Sequence, residues 1–517
     1  MPNTFSYVAL FLWPLVVFFL YRRLPRDRAL IASILGGYLL LPFGVGINLP
    51  VLPTFDKTLV PALAALIMTM LVPAPLERCS APGVAAAGNR AGRTPFTRQR
   101  ETLARRQGRT PDAGSDATDE TTRTGHSRIS NALLVLLFVT PFISVMTNLQ
   151  PVEIGPRVLP GLKLYDAFSF ALTSLVSVLP FLLARRYLAT PRAHRYLLIG
   201  LVLWGLFYTL PALYEIRMSP QLARRIYGFL AQQFAQAMRE GGFRPVVFLQ
   251  HGLWLAAYFA MAILAAAALW RTFRAENDRQ SPRWLFALAW LLGTLILSKS
   301  LGALSEAIVL LPAVLFFSSR GQVRAAAVVA AVILTYPALR HADVIPVNKF
   351  VAAAEAYSPS RARSLEFRLV NEDRLLQHAR EKPIAGWGGW GRGRVYSKYG
   401  RDISVTDGIW IIIMSDSGWL GYIANFGLLT VPIFLIAIRR RGSGLSPATA
   451  GLALVLTVNL IDMIPNATLT PVTWMIAGAL TGWLPLQKTA KDDPPKEKRA
   501  PRGRQRPPAR VPARATA

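Results

Sequence analysis

Apolar segments alternate with polar loops along most of the chain. Most of the segments have about 17–25 residues, the length that an α-helix needs to cross a bilayer. About thirteen can be distinguished, and they cover residues 5–21, 28–47, 57–73, 131–148, 166–184, 195–213, 246–270, 284–298, 302–318, 324–339, 413–438, 447–464 and 470–486. The pattern predicts an all-α, polytopic integral membrane protein with about thirteen transmembrane helices. The pair 284–298 and 302–318 is joined by a tight turn and is compatible with two spans or one re-entrant element.

Lys and Arg are distributed unevenly between the short loops, and this distribution predicts an orientation. One set of alternate loops carries only Lys57, Arg157, Lys163 and Lys299. The other set carries Arg22, Arg23, Arg26, Arg28, Arg185, Arg186, Arg192, Arg195, Arg271, Arg274, Arg279, Arg283, Arg320, Arg324, Arg439, Arg440 and Arg441. We therefore expect a bacterial inner (cytoplasmic) membrane protein with a periplasmic N-terminus and a cytoplasmic C-terminus.

This orientation divides the chain into membrane parts and polar parts. We expect N-terminal transmembrane helices over 1–75, a disordered cytoplasmic loop over 76–129, transmembrane helices over 130–213, a periplasmic loop with an amphipathic helix over 214–245, transmembrane helices over 246–339, a large periplasmic loop over 340–412, C-terminal transmembrane helices over 413–486 and a disordered basic cytoplasmic tail over 487–517.

The two predicted cytoplasmic segments, 76–129 and 487–517, contribute to a formal net charge of +30. Neither can bury enough apolar surface to offset the entropy lost on folding, so we predict that both are disordered. Basic segments of this kind bind the anionic lipids of the inner leaflet. They have few aromatic side chains that would stack on bases, so no nucleic acid partner is expected. The single cysteine, Cys79, excludes a disulfide within the chain.

The two long periplasmic loops each predict a helix. In the first loop, Ser219 is a good N-cap and Pro220 suits the first helical position. Apolar residues then recur every four positions until Gly241–Gly242. In the second loop, the pattern predicts a helix over 361–380, which ends before Pro383. A Gly/Trp-rich turn follows at residues 386–391.

The sequence contains no Walker motif, no HExxH motif and, on the predicted outer face, no Asp-x-Asp pair. We therefore expect no metal site, no metal-dependent glycosyl transfer and no cofactor. Cations collect on that face instead, and Arg and Lys neutralise a diphosphate without a metal. The candidate diphosphate-binding residues are Arg217, Arg244, Lys299, Arg368 and Arg374. Three of them also fit simpler roles. Arg217, placed in a loop beyond an apolar helix, and Arg244, placed just before one, would equally anchor to a phospholipid headgroup, and Lys299 would equally snorkel to the interface.

Several short patterns occur between residues 200 and 439. They are the 214–220 run, the 298–304 turn, the long loop at 340–412, the Pro383-x-x-Gly386-x-Gly388 turn, the polar dyad in 406–408 and the 421–427 stretch. Together they resemble the O-antigen ligase and Wzy-type polymerase family, especially its exopolysaccharide members. The resemblance implies an all-helical, GT-C-like membrane fold. It also implies metal-independent transfer of a glycan from undecaprenyl diphosphate to a hydroxyl of an acceptor glycan or lipid, at the periplasmic face.

The chain departs from this family at one position that matters for catalysis. Ligases of the family usually carry His where this chain has Asp407, at the start of the helix after the long loop. Asp407 is therefore the first candidate for the general base and His378 is the second. Asp407 is equally compatible with an N-cap role. His251 and Glu306 lie within apolar segments, where ionisable groups are functional candidates by default. Glu306 is equally compatible with a structural ion pair, because it lies about one turn from the end of the hairpin that carries Lys299.

Two further functional classes are compatible with the sequence. A transporter or flippase of lipid-linked glycans would carry its cations along an interior path. A non-catalytic scaffold of a polysaccharide assembly system predicts that Asp407 and Arg217 are far apart in space. Convergence of Arg217, Arg244, Lys299 and Asp407 on one cavity would favour the transferase. The sugar and the acceptor cannot be read from the sequence.

Overall fold

The computed structural model describes residues 2–49, 52–73, 128–230, 232–239, 241–357, 359–438 and 445–492. Most of the segments 76–129 and 487–517 lies outside these residues. The predicted disorder and lipid binding of both segments therefore stay predictions.

Helices dominate the described part of the chain. They are α1 (Thr4–Arg23), α2 (Arg26–Leu40), α3 (Leu59–Leu71), α4 (Arg128–Met146), α5 (Leu164–Tyr187), α6 (Pro191–Met218), α7 (Leu222–Tyr227), α8 (Gly252–Ala275), α9 (Ser281–Leu297), α10 (Leu301–Phe316), α11 (Ser319–His341), α12 (Val347–Tyr357), α13 (Pro359–Glu381), α14 (Ile409–Ala437), α15 (Pro447–Asp462) and α16 (Pro471–Asp492). The short strands form three antiparallel pairs. They are β1 (Gly46–Ile47) with β2 (Phe55–Asp56), β3 (Val152–Ile154) with β4 (Arg157–Leu159), and β5 (Met238–Arg239) with β6 (Gly242–Phe243).

The helices follow the apolar pattern of the sequence closely. Each predicted apolar segment coincides with one of α1–α6, α8–α11 or α14–α16. Within the described residues, seven helices are long and apolar enough to cross a membrane: α1, α4, α5, α6, α8, α11 and α14. The protein is therefore membrane-embedded and mostly helical.

Helix α8 forms the centre of the bundle. In its most apolar window 89% of the residues are buried, and it packs against α6, α9, α10 and α15. Its many alanines explain this position, because small side chains let neighbouring helices approach closely. Gly451 of α15 faces Ala268 of α8, and an added Cβ would overlap the alanine side chain.

The loops between the helices lie at two opposite ends of the bundle. At the first end, which we call the loop-rich end, Asn3 donates to the Ile226 carbonyl over 2.8 Å and Lys57 donates to the Phe248 carbonyl over 3.1 Å. Among the described residues, this end comprises 41–49, 52–58, 147–163, 219–230, 232–239, 241–251, 298–300, 342–357, 359–408 and 463–470.

The other end, which we call the arginine-rich end, comprises the loops 24–25, 188–190, 276–280 and 317–318 and the residues beside them. Arg28 donates to the Tyr196 hydroxyl over 2.6 Å, and Arg195 pairs with Glu276 at 2.8 Å. As far as the structure describes them, the two sets of loops distinguished by their Lys and Arg content thus occupy opposite ends.

Helices α9 and α10 form a hairpin along the full length of α8. At the arginine-rich end, Trp284 of α9 packs on Phe273 of α8, and Arg271 of α8 donates to the Val314 carbonyl of α10 over 2.7 Å. At the loop-rich end, the hairpin turn at Lys299 accepts from Arg244, which precedes α8. This arrangement favours two separate helices over a short re-entrant element.

The prediction of one long amphipathic helix in the first loop is wrong. Helix α6 continues to Met218, and Ser219 ends it with φ +82° instead of capping a new helix. Helix α7 then has only six residues, because Gly228 adopts the left-handed conformation with φ +84°. A 3₁₀ turn and the β5–β6 hairpin follow, and Gly241–Gly242 belongs to that hairpin rather than to a helix end.

A buried carboxylate organises this loop. Glu215 accepts hydrogen bonds from the backbone N–H groups of Val246 and Val247, each at 2.8 Å, and of Leu222 at 3.0 Å. Its side chain is fully buried. Hydrogen bonds to a charged acceptor are stronger than neutral ones, so Glu215 holds the two ends of the loop together.

The second long loop contains two helices. Helix α13 matches the helix predicted over 361–380, whereas α12 was not predicted. Arg340, at the end of α11, anchors α13 through Asp373 at 2.5 Å. Helix α13 also packs against α14, so the loop is fixed on the bundle.

Candidate functional site

A cavity of about 750 Å³ opens at the loop-rich end. Its cationic side chains are Arg239, Arg244, Lys299 and Arg368, and we call it the cationic cavity. Apolar side chains on α8, α9 and α10 form another part of its wall. Two of them are well exposed, Ile296 at 54% and Leu301 at 41%. The cavity therefore joins a cationic surface to an apolar one.

Glycines make room for two of the cations. Arg244 is only 8% exposed, and its guanidinium donates to the Lys299 carbonyl over 3.5 Å. A Cβ on Gly252 would lie 2.5 Å from Arg244 Cδ, and one on Gly242 would lie 3.2 Å from Lys299 Nζ. Lys299 itself has φ +55°, a left-handed conformation that is uncommon for a residue with a side chain. Such strain persists only where the surroundings hold the residue in place, and it often marks a functional site.

The third cation, Arg368, comes from α13. Its guanidinium donates to the Pro465 carbonyl at 3.3 Å and to Asn466 Oδ1 at 3.4 Å. It also pairs with Asp407 at 3.6 Å. Arg368 thus links α13, the loop after α15 and the start of α14 around one cavity.

The positive charges act on a histidine beside the cavity. His251 is the N-cap of α8, where its Nδ1 accepts from the Leu253 N–H at 3.0 Å. Burial, together with the charges of Arg244, Arg239 and Arg368, lowers the pKa of His251 to about 4. The imidazole is therefore neutral at physiological pH, and the surroundings are strongly cationic.

One carboxyl group also lines the cationic cavity. Glu306, on the second turn of α10, is 9% exposed, and its Oε2 has no hydrogen-bond partner among the described residues. Asp462, at the end of α15, interacts with it electrostatically. Asp462 is held by Asn466 at 2.8 Å and Thr468 at 2.5 Å.

A smaller cavity of about 180 Å³ adjoins the first and shares Leu365, Arg368 and Pro465 with it. We call it the carboxylate cavity, because Glu372 and Asp407 line it.

Glu372 has an unusual electrostatic environment in this cavity. It accepts from the Tyr336 hydroxyl at 3.1 Å and lies 3.7 Å from Arg340. Burial raises the pKa of Glu372 to about 7, although Arg340 and the Tyr336 hydrogen bond oppose the change. The group is thus poised between its two protonation states near neutral pH.

Asp407 does not cap α14. The N-cap is Gly408, and no side chain donates or accepts there. The Asp407 side chain is instead 37% exposed and turned toward Arg368. The N-cap interpretation is therefore wrong, and Asp407 lies where the two cavities meet.

His378 lines neither cavity. Its Nε2 lies 3.0 Å from the Arg392 carbonyl, and its ring stacks on Trp387 with centroids 4.4 Å apart. Trp387 donates in turn to the His378 carbonyl at 2.8 Å. These contacts hold the Gly/Trp-rich turn against α13.

Arg217 and Arg374 are exposed side chains that line neither cavity. Arg217 lies in the last turn of α6, not in a loop beyond it. Of the four groups whose convergence we sought, Arg244 and Lys299 share the cationic cavity, Asp407 adjoins it through Arg368, and Arg217 stands apart.

The Gly/Trp-rich turn docks into a break in α14. Gly418 has φ +60° and ψ −159°, which interrupts the helical hydrogen bonds. The turn replaces them with four backbone hydrogen bonds of 2.8–3.0 Å. These are Trp387 N–H to Ser415 O, Gly388 N–H to Asp416 O, Trp419 N–H to Pro383 O and Leu420 N–H to Ile384 O. The Pro383-x-x-Gly386-x-Gly388 pattern is thus a structural clamp on α14.

Sequence reasoning missed the neighbours of Arg368. Glu372 lies one turn along α13, but nothing in the linear pattern connects it with Tyr336 on α11. Asp462 lies near the end of the apolar segment 447–464, Asn466 lies just beyond it, and neither carries a motif. Among the described residues, no group of three or more His, Cys, Asp or Glu side chains could hold a metal ion.

Comparison with known proteins adds no relative to this picture. No protein-family model matches the chain. No curated protein matches it either. The resemblance to O-antigen ligases and polymerases therefore rests on the short patterns quoted above.

Proposed function

We propose that this protein is a metal-independent glycosyltransferase of the O-antigen ligase and Wzy-type polymerase group. It transfers a glycan from undecaprenyl diphosphate to an acceptor hydroxyl at the periplasmic face of the bacterial inner membrane. The product belongs to an exopolysaccharide or O-antigen. The cationic cavity, with its exposed apolar wall, is the observation that carries this proposal.

The cavity suits a lipid diphosphate for two reasons. Arg244, Lys299 and Arg368 offer N–H donors to phosphate oxygens, and Arg does so in a bidentate fork. Ile296 and Leu301 are exposed beside them, where a polyprenyl chain would lie in hydrocarbon. A free sugar nucleotide would not need that apolar wall.

The proposal includes the finer topology. The thirteen apolar helices all cross the membrane in a GT-C-like arrangement, with the loop-rich end in the periplasm. The N-terminus is then periplasmic and the C-terminus cytoplasmic. The arginine-rich end faces the anionic inner leaflet, in agreement with the positive-inside rule.

The chemistry is an inverting displacement. The acceptor hydroxyl attacks the anomeric carbon, and lipid diphosphate leaves from the opposite face. The leaving group is already an anion, and Arg244, Lys299 and Arg368 stabilise it, so no general acid is required. Asp407 keeps Arg368 directed at the diphosphate.

A transporter would have to extend its cations along a path through the bundle. The cationic cavity lies at one end, which favours a surface site over a transport path. The exposed position of Arg217, outside both cavities, is compatible with a scaffold. The burial of Arg244 beside a cavity of this size favours a binding site instead.

Deletion of the gene tests the proposal. We expect undecaprenyl-diphosphate-linked glycan to accumulate and polymer to disappear. Purified protein added to membranes from the deletion strain should consume that donor and extend or cap an acceptor. An Arg244→Ala protein should not. Normal polymer in the deletion strain, or no consumption of donor by the wild-type protein, would exclude the transferase.

A further inference from the structure

The cationic cavity contains one group that anion binding does not explain. Glu306 is a carboxyl among cations, and a carboxylate repels a diphosphate. It is also nine-tenths buried, with one oxygen that has no hydrogen-bond partner among the described residues. Leaving a buried acceptor unpaired costs about 1–3 kcal/mol. A structural role alone does not account for that cost.

We propose that Glu306 is the general base of the transfer reaction, and this inference rests on the proposed function. The acceptor O–H bond breaks and its proton moves to the Glu306 carboxylate. The oxygen forms a bond to the anomeric carbon as the bond from that carbon to the diphosphate oxygen breaks. The electron pair of that bond leaves with the lipid diphosphate, so charge and atoms balance.

The surroundings of Glu306 suit this role better than those of the other two candidates. Asp407 is partly exposed, and its carboxylate is already engaged by the Arg368 guanidinium at 3.6 Å. His378 lines neither cavity and its Nε2 is engaged by the Arg392 carbonyl. Glu306 lines the same cavity as the cations that would hold the donor.

Asp462 completes the arrangement as a positioning residue. It is fixed by Asn466 and Thr468 and interacts with Glu306 electrostatically. A proton received by Glu306 relieves the repulsion between the two carboxyl groups. The pair can thus take up the acceptor proton while Arg244, Lys299 and Arg368 stabilise the departing diphosphate.

The test uses purified full-length protein and donor-loaded membranes from the deletion strain. The variants are Glu306→Gln, Glu306→Asp, Asp407→Asn and, as a matched control on the exposed face of α10, Ser305→Ala. Transfer is measured as loss of lipid-linked glycan. Diphosphate binding is measured separately, by competition with farnesyl diphosphate. Thermal unfolding in detergent establishes that each variant folds.

We expect Glu306→Gln to lower the transfer rate by about 10²–10⁴-fold, the usual contribution of a general base. Farnesyl diphosphate should bind it at least as well as the wild type, because the substitution removes no N–H donor to phosphate. Glu306→Asp should keep part of the activity, and Ser305→Ala should keep all of it. Asp407→Asn should weaken diphosphate binding more than Glu306→Gln does.

Each contrary result has a distinct meaning. Wild-type transfer together with full transfer by Glu306→Gln would overturn the inference and leave the proposed function intact. If Glu306→Gln lost transfer and diphosphate binding together, Glu306 would have a structural role, and the inference would again be overturned. Absence of transfer by the wild-type protein would overturn both. Should Glu306→Gln not fold, an unchanged rate in Glu306→Asp would decide against the base, because the shorter side chain withdraws the carboxylate from the hydroxyl.

Discussion

Arg244 and Arg217 show how differently two arginines of one loop region can be placed. Arg244 is buried, packs against Gly252 and lines the cationic cavity. Arg217 is exposed on the last turn of α6 and lines neither cavity. The sequence suggested the same role for both. Their surroundings suggest that only Arg244 reaches the diphosphate.

A matched pair of substitutions tests this difference. We expect Arg244→Lys to lower transfer about tenfold or more, since Lys keeps the charge but loses the fork of N–H donors. A tenfold loss corresponds to about 1.4 kcal/mol. Arg217→Lys should stay within about twofold of the wild type, because an exposed charge contributes little. Greater impairment of Arg217→Lys than of Arg244→Lys would move the diphosphate site away from the cavity.

Glu372 predicts a pH dependence of stability. Its pKa in the folded protein is raised to about 7 from an ordinary value of 4.5. The stabilisation is therefore fully present below about pH 4.5 and is lost as the pH rises through about 7. Since one pKa unit corresponds to about 1.4 kcal/mol, the loss is at most roughly 3 kcal/mol.

Glu372→Gln should remove this dependence. Arg340 keeps its partner Asp373 at 2.5 Å in that variant. The unfolding midpoint of the wild type in detergent should fall more between about pH 5 and pH 8 than that of Glu372→Gln. Equal slopes for the two proteins would mean that Glu372 is not the group that titrates.

For single residues, the sequence predicted the residue types of the site but not which side chains they contact. Arg368 was found as a cation on the helix predicted over 361–380, and Asp407 as a polar residue before α14. Their ion pair joins positions far apart in the chain, and no periodicity signals it. His378 looked catalytic because histidine titrates near neutral pH, yet its ring stacks on Trp387 to hold a turn. Burial and partners, which decide such roles, come from tertiary packing.

Helix α14 is the element that depends most on the rest of the fold. Gly418 has a conformation that only glycine adopts readily. A Cβ there would lie 2.5 Å from the backbone of Pro383 and Ile384. The break and the Gly/Trp-rich turn therefore require each other.

Two glycine substitutions separate this effect from the general effect of adding a methyl group. Gly418→Ala should destabilise the protein by about 1–3 kcal/mol from backbone strain alone, with more from the overlap. Gly293→Ala, in α9, meets no atom within 4 Å. It should be neutral or stabilising by up to about 1 kcal/mol, because Ala favours helix. Unfolding midpoints measured in one detergent give the comparison, and equal midpoints would show that the break is not needed.

Element by element, long apolar runs predicted helices well and the polar loops did not. An apolar segment in a membrane forms a helix, because each of its backbone N–H and C=O groups must find a hydrogen-bond partner within the protein. In residues 219–251 the backbone has alternatives. Gly228 ends α7 after six residues, and Glu215 binds backbone N–H groups that a longer helix would have used itself. An apolar residue at every fourth position was not enough to overcome these two features.

For the whole molecule, the separation of a loop-rich end from an arginine-rich end leads to a labelling experiment. A Cys79→Ala protein would have no other cysteine. Cysteines placed at Gln236 and near position 350 should react with a membrane-impermeant thiol reagent in intact cells. Cysteines at Arg279 and near position 110 should react only after lysis. The opposite pattern would place the cationic cavity in the cytosol, where no periplasmic acceptor can reach it.

The clamp between residues 383–388 and α14 also bears on how the chain enters the membrane. Until the turn docks, the Ser415 and Asp416 carbonyls and two N–H groups of α14 lack partners, and each unsatisfied group costs several kcal/mol in hydrocarbon. Residues 383–388 leave the ribosome before α14. In the proposed orientation, they have already crossed the bilayer when α14 is released into it. Stable integration of α14 therefore requires that the long loop has already been translocated. A chain shortened in that loop should be degraded by proteases during biogenesis.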